Sequence, residues 1–153
     1  MPVKTLKNFL DDQQVKYISI AHSIAYTAQE IAESAHIPGD AMAKTVIASL
    51  DGELAMAVLR APDKVDLDLL RAAAGAGEGH LASEDQFRSR FPSVDPGAMP
   101  PFGNLYGMRV FVDEPLTRNK LIAFNAGSHS ELVQLGYADF ERLVEPKVAN
   151  FSA

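Results

Sequence analysis

Three stretches of this sequence carry side chains or backbone that could act together on a reactive carbonyl, although none is a standard catalytic motif. The first is Lys44, which opens the apolar run Lys44-Thr-Val-Ile-Ala48. An ammonium in such a run is useful where it reaches a cleft or a phosphate. A strand-end lysine with its head in water accounts for the same pattern. The second is Pro96-Gly-Ala-Met-Pro-Pro-Phe-Gly103. Gly97 lets a backbone amide approach a ligand closely, and Pro100 and Pro101 stiffen the chain around it. Such a loop can aim N–H donors at a developing oxyanion; a purely structural Pro/Gly crossover is the competing reading. The third is Asn125-Ala-Gly-Ser-His-Ser-Glu131. Here Gly127, free to take positive φ, turns Ser128 and His129 toward one side. Taken singly, His129 reads as a surface turn residue.

Other chemistries lack their minimal residues. The absence of cysteine removes disulfides, Cys-rich zinc and iron–sulfur sites and thiol nucleophiles together. His22, His36, His80 and His129 show no H-x-x-x-H or H-E-x-x-H spacing, so no metal site is expected. There is no Gly-x-Ser-x-Gly elbow, phosphate-binding P-loop or dinucleotide fingerprint, and no cofactor is expected. Fourteen Lys and Arg against twenty Asp and Glu leave a net charge of −6. That balance disfavours DNA groove binding and permits only a small contact with RNA through local cations. No apolar run approaches the ~20 residues that cross a bilayer, and the N-terminus lacks a signal-peptide pattern, so a cytoplasmic soluble protein is expected.

The elements that must position these groups can be read from periodicity. With 153 residues, 47% apolar and 22% charged, the chain is expected to form one globular domain with a packed core. Val3, Leu6, Phe9 and Leu10 predict an amphipathic helix, and Tyr17 to His22 a strand that delivers His22 to a cleft. Thr27-Ala-Gln-Glu30 is a capping box opening a helix over about 28–35, which His36 to Asp40 ends. Ala43 to Leu50 and Glu53 to Leu59 flank Asp51-Gly52 and predict a hairpin. Helices are expected over 66–74, closed by Gly75 to Gly79, and from Ser83-Glu-Asp-Gln86 through Arg90. Residues 91–107 are too rich in Pro and Gly for regular structure and predict a long loop. Strands are expected at 108–113, 121–125 and 132–134, then a helix at 138–143 and an irregular tail. The fold class is α+β: a curved mixed or antiparallel sheet with packed helices.

Ala43-Lys44-Thr-Val in a strand, Gly97-Ala-Met-Pro-Pro101-Phe-Gly in a loop, and Asn125-Ala-Gly-Ser-His129 near the end, in that order, resemble the YbaK/ProX family. These are free-standing aminoacyl-tRNA deacylases related to the editing domain of bacterial prolyl-tRNA synthetases. The resemblance covers nearly the whole chain, from Thr27-Ala-Gln-Glu30 through Asp113 to Asp139-Phe-Glu-Arg142. It implies hydrolysis, in trans, of the ester on a mischarged tRNA, with alanine on tRNA(Pro) as the first substrate and serine, threonine or cysteine as others. It carries the family lysine onto Lys44, the Gly-x-x-x-Pro motif onto Gly97 and Pro101, and the glycine–histidine turn onto Gly127 and His129.

On this reading the Gly97 loop positions the ester and the attacking oxygen, Lys44 binds a terminal phosphate or orients the acyl group, and His129 shapes the pocket. His22, Thr27, Ile47, Ala98, Met99 and Ser128 are expected to complete the substrate site. The expected partner is the acceptor end of a mischarged tRNA, with prolyl-tRNA synthetase as a second. The competing function is a non-catalytic module that holds an acceptor end, a nucleotide or a synthetase surface.

Overall fold

The computed structural model describes residues 2–21, 37–91, 94–95, 98–128 and 130–153. The expected helix over 28–35, together with His22, Thr27, Gly97 and His129, lies outside the described residues.

The architecture is α+β, built on two sheets. Strands β1 (Tyr17–Ala21), β6 (Leu121–Asn125) and β7 (Glu131–Gly136) form an antiparallel sheet in the order β1-β7-β6. Strands β2 (Ala43–Leu50), β3 (Glu53–Arg60), β4 (Gly79–Leu81), β5 (Arg109–Asp113) and β8 (Lys147–Ala149) form a mixed sheet in the order β4-β2-β3-β5-β8. A parallel bridge between Met42 and Ala123 joins the two sheets. The helices are α1 (Pro2–Asp12), α2 (Leu67–Ala74), α3 (Glu84–Phe87) and α4 (Tyr137–Val144).

Local chemistry explains the clearest of these elements. Asp51 (φ 52°) and Gly52 (φ 83°) both take positive φ, the backbone of a type I′ turn, and the two strands pair in register from Leu50–Glu53 to Ala43–Arg60. Asp66 caps α2 by accepting from Asp68 N (3.0 Å) and Leu69 N (3.1 Å), and left-handed Gly75 ends the helix. Ser83 and Gln86 form the expected reciprocal capping box. The structure adds two short edge strands where a loop and a tail were expected. In β4, Gly79–Leu81 pairs with Leu50–Ala48, and in β8, Lys147–Ala149 runs parallel to β5. Each exists because a neighbouring strand offers an open ladder rather than through its own propensity.

The main core lies between the sheets. Ile47, Met56, Val58, Val110 and Val112 meet Ile122, Phe124, Val133 and Leu135, with Leu6 and Leu10 of α1 and Phe140 of α4. Phe102 stands among Phe9, Phe124 and Phe140 at ring-centroid distances of 6.1, 5.5 and 5.4 Å. The proline-rich segment is therefore not a surface loop throughout: residues 98–103 are buried, and Gly103 opens a 3-10 turn, Gly103–Leu105. A Cβ on Gly103 would stand 2.6 Å from Val110 Cγ2 and 2.7 Å from the Met108 carbonyl, so only glycine fits there. A second core on the outer face of the five-stranded sheet packs Leu70 and Phe151 against Ala48, Leu59 and Phe111.

Candidate functional site

Lys44 is the second residue of β2 and pairs with Leu59. Strand alternation sets it on the same face as Met42 and Val46, and opposite to Ile47. Met42 is bridged in parallel to Ala123; two residues further along these segments stand Lys44 and Asn125, equivalent positions beyond the junction of the sheets. Lys44 is partly buried, and this desolvation holds its pKa below the ordinary lysine value; Asp63 opposes the shift and Lys64 adds to it.

Among the described residues no carboxylate reaches Lys44 as an ion pair. Asp63 is already committed to Arg60, which donates Nε–H at 2.7 Å and a second N–H at 3.2 Å, and Arg60 also approaches Asp40 at 3.5 Å. Lys44 therefore has charge available for an incoming group.

The second and third motifs meet through the backbone. Asp95 N donates to Gly127 O at 2.9 Å, and Ala98 N donates to Asp95 O at 3.0 Å. The start of the proline-rich segment is thus tied to the turn after β6. Gly127 is buried at φ 110°, and Ala126 N donates to Glu131 O at 3.1 Å, closing that turn. Ser128 Oγ lies 3.4 Å from Ser130 Oγ. Glu131, at the start of β7, accepts from Lys7 Nζ of α1 and from Ser19 Oγ (2.6 Å) of β1. Burial pushes its pKa up, but the two donors outweigh that and hold the carboxyl below its usual range.

The expected site residues therefore divide. Ala98 and Pro101 are buried in the segment that Asp95 ties to the Gly127–Ser128 turn. Lys44 stands two residues beyond Met42, which is bridged to Ala123 of β6, the strand that leads into that turn. Ile47 and Met99, expected as pocket walls, are both members of the main core, and Ile47 faces away from Lys44. His22, Thr27, Gly97 and His129 lie outside the described residues. The described residues hold no group of three or more His, Asp or Glu able to bind a metal ion.

One polar group escaped the sequence reading. Asn125 is 8% exposed, and its Oδ1, like Asp113 Oδ2 and the Tyr137 hydroxyl, is buried with no hydrogen-bond partner among the described residues. A buried acceptor left unpaired costs about 1–3 kcal/mol, so it calls for an explanation. The only signal in the sequence is its place at the head of Asn125-Ala-Gly-Ser; its burial comes from the meeting of the two sheets.

This two-sheet α+β fold is the one seen in crystal structures of a proposed trans-editing enzyme for prolyl tRNA synthetase (TM-score 0.84, 16% identity, 99% of this chain and 97% of the other) and of a hypothetical protein (TM-score 0.86, 16% identity, 97% and 99%). The chain belongs to the aminoacyl-tRNA editing domain family, whose model matches residues 22–143, a stretch that contains all three motifs. It is also similar to the multifunctional Ser/Thr-tRNA deacylase ProXp-y of Escherichia coli strain K12, and equally to that of strain O157:H7, at 34% identity over 98 residues. That alignment spans 63% of this chain and 58% of the relative's length.

Proposed function

We propose that this chain is a trans-editing aminoacyl-tRNA deacylase. It hydrolyses the ester between a wrongly attached amino acid and the terminal ribose of a tRNA. Water adds to the ester carbonyl, the acyl C–O bond breaks, the ribose hydroxyl recovers a proton, and the amino acid leaves as a carboxylate. The observation that carries this reading is the editing-family match over residues 22–143.

An aminoacyl ester is activated enough to need no covalent nucleophile once water is held in line and the carbonyl is polarised. In the proposed division of labour, Lys44 binds the terminal phosphate or orients the acyl group; a partly desolvated ammonium with no ion-pair partner among the described residues suits both tasks. The Gly97–Pro101 segment is assigned to position the ester and the attacking oxygen and His129 to shape the pocket, with His22, Thr27 and Ser128 as further contacts. Asn125 Oδ1 accepts a hydrogen bond from a substrate N–H or O–H, which would satisfy an acceptor that has no partner among the described residues.

Alanine on tRNA(Pro), with serine, threonine or cysteine as others, follows from the resemblance to the YbaK/ProX family, and the relative's name, a Ser/Thr-tRNA deacylase, supports serine and threonine among them. A pocket separating such side chains by one methyl or hydroxyl gains only ~1–3 kcal/mol, so several small amino acids are expected to be accepted. Only the acceptor end of the tRNA is engaged at this site, in the cytoplasm, alongside prolyl-tRNA synthetase as a partner.

The test is a panel of tRNAs charged with alanine, serine, threonine and cysteine, incubated with the purified protein. Loss of ester faster than in buffer is the expected result. Binding without loss on every member would replace the enzyme with a binding module.

A further inference from the structure

At the other end of the β2–β3 hairpin lies a polar concavity of about 310 Å³ lined by Gly52, Glu53, Leu54, Arg90, Gly107 and Arg109. Its two arginines stand apart from the others. Arg60, Arg88, Arg118 and Arg142 each hold a carboxylate, and Arg71 donates to the Ala76 carbonyl. Arg90 and Arg109 have neither kind of partner among the described residues, and both line the same hollow. They come from separate elements: Arg90 ends the 3-10 turn Arg88–Arg90 after α3, and Arg109 opens β5. The Arg109 guanidinium lies 4.8 Å over the ring of Phe111, which orients its fork. Gly52 (φ 83°) and Gly107 (φ 69°) line the wall without side chains, leaving room for a ligand to approach the backbone.

We propose that Arg90 and Arg109 form a phosphate-binding site, and that its occupant is a backbone phosphate of RNA. Paired guanidinium forks suit phosphate geometry. In a chain of net charge −6, two cations uncompensated by ion pairs in one hollow are where a polyanion can be tolerated. Six residues of strand separate Lys44 from Leu50 beside the turn, roughly 20 Å at ~3.3 Å per residue. A single aminoacylated nucleoside cannot span that distance, whereas a polynucleotide can. The choice of RNA over another phosphate ligand rests on the deacylase reading above.

The experiment measures binding of uncharged tRNA by the full chain across a KCl series, comparing the wild type with Arg90→Gln/Arg109→Gln and with Glu53→Gln, and following thermal unfolding in parallel. The double variant is expected to bind about 10-fold more weakly with unchanged unfolding. Its slope of log K against log[KCl] should be shallower by about 1.5, as expected for two lost phosphate contacts at ~0.7–0.9 each. Glu53→Gln, which removes the carboxylate from the rim, should bind more tightly. Wild-type affinity and slope retained in the double variant, with no arginine-dependent stabilisation by inorganic phosphate either, would overturn the site. Arginine-dependent stabilisation by millimolar inorganic phosphate, with arginine-independent tRNA binding, would overturn RNA as the occupant. Arginine-dependent tRNA binding without ester hydrolysis would remove the deacylase reading and leave this site; hydrolysis with arginine-independent binding would do the reverse.

Discussion

The two ends of the β2–β3 hairpin hold their cations in opposite ways. At the start of β2, Lys44 is partly buried and desolvated enough to lower its pKa, while Asn125 at the end of β6 keeps a buried carbonyl that has no partner among the described residues. Around the turn, Arg109 and Arg90 are exposed to solvent. A desolvated ammonium interacts strongly and at short range, so it can orient a reacting group. A solvated guanidinium interacts weakly per contact and is screened by salt, so it suits capture of an extended polyanion. The difference teaches that a net-acidic chain can divide binding and chemistry between separate places.

The sharpest way to break this comparison is to remove the buried cation. Lys44→Ala is expected to lower kcat/KM on mischarged tRNA on the order of 100-fold, the loss of one charge-assisted contact in a partly dry site. Binding of uncharged tRNA should fall far less, because the arginine end and the rest of the contact remain. Unchanged turnover on every mischarged tRNA would reject the role of Lys44.

A smaller effect is expected at Asn125. Asn125→Leu keeps the volume and removes the orphaned acceptor, so thermal stability should hold or rise while kcat/KM falls about 10-fold. A fall in both stability and activity would make Asn125 a structural residue. Smaller still is the pH response. The folded pKa of Lys44 lies below its unfolded value of ~10.4, so the ammonium deprotonates earlier than an ordinary lysine as pH rises. Activity that needs the charged form is expected to decline on the alkaline side below that value, after correction for spontaneous ester loss. Lys44→Arg should move the decline upward, and an unmoved profile would detach it from this side chain.

How much of this was legible in the sequence follows from where each feature gets its energy. The Asp51–Gly52 hairpin, the capping box at Ser83 and the glycine that ends α2 are local, and each is present where its residues indicate, whereas Asp66, expected inside that helix, is its cap. Strands β4 and β8 were not legible, because three residues at a sheet edge borrow their structure from a neighbour. The proline-rich motif was visible but its burial was not, since its seat depends on Phe102 finding Phe9, Phe124 and Phe140. Lys44 stood out as a cation in an apolar run. Asn125 did not, because an unpaired acceptor is visible only once tertiary contacts exist. The convergence of Arg90 with Arg109 depends on the tertiary fold, including the parallel register that sets Arg109 against Ala55, which no local pattern encodes.

The smallest effect concerns how the turn near Lys44 is held. Glu131 bonds Lys7 and Ser19, so α1 and β1 are both fastened to the strand that follows Gly127-Ser128. Lys7 and Glu131 side chains are 31% and 25% exposed, so solvent screens the pair and about 0.5–1 kcal/mol is a fair expectation at neutral pH. The folded pKa of Glu131 is depressed, so its stabilisation is fully present above the unfolded value of ~4.3 and is lost as pH falls through the folded one. Lys7→Met should therefore unfold in slightly less denaturant than the wild type at pH 7, with the gap closing in acid. If the gap persists undiminished at pH 3, the lysine stem rather than its charge fastens the turn.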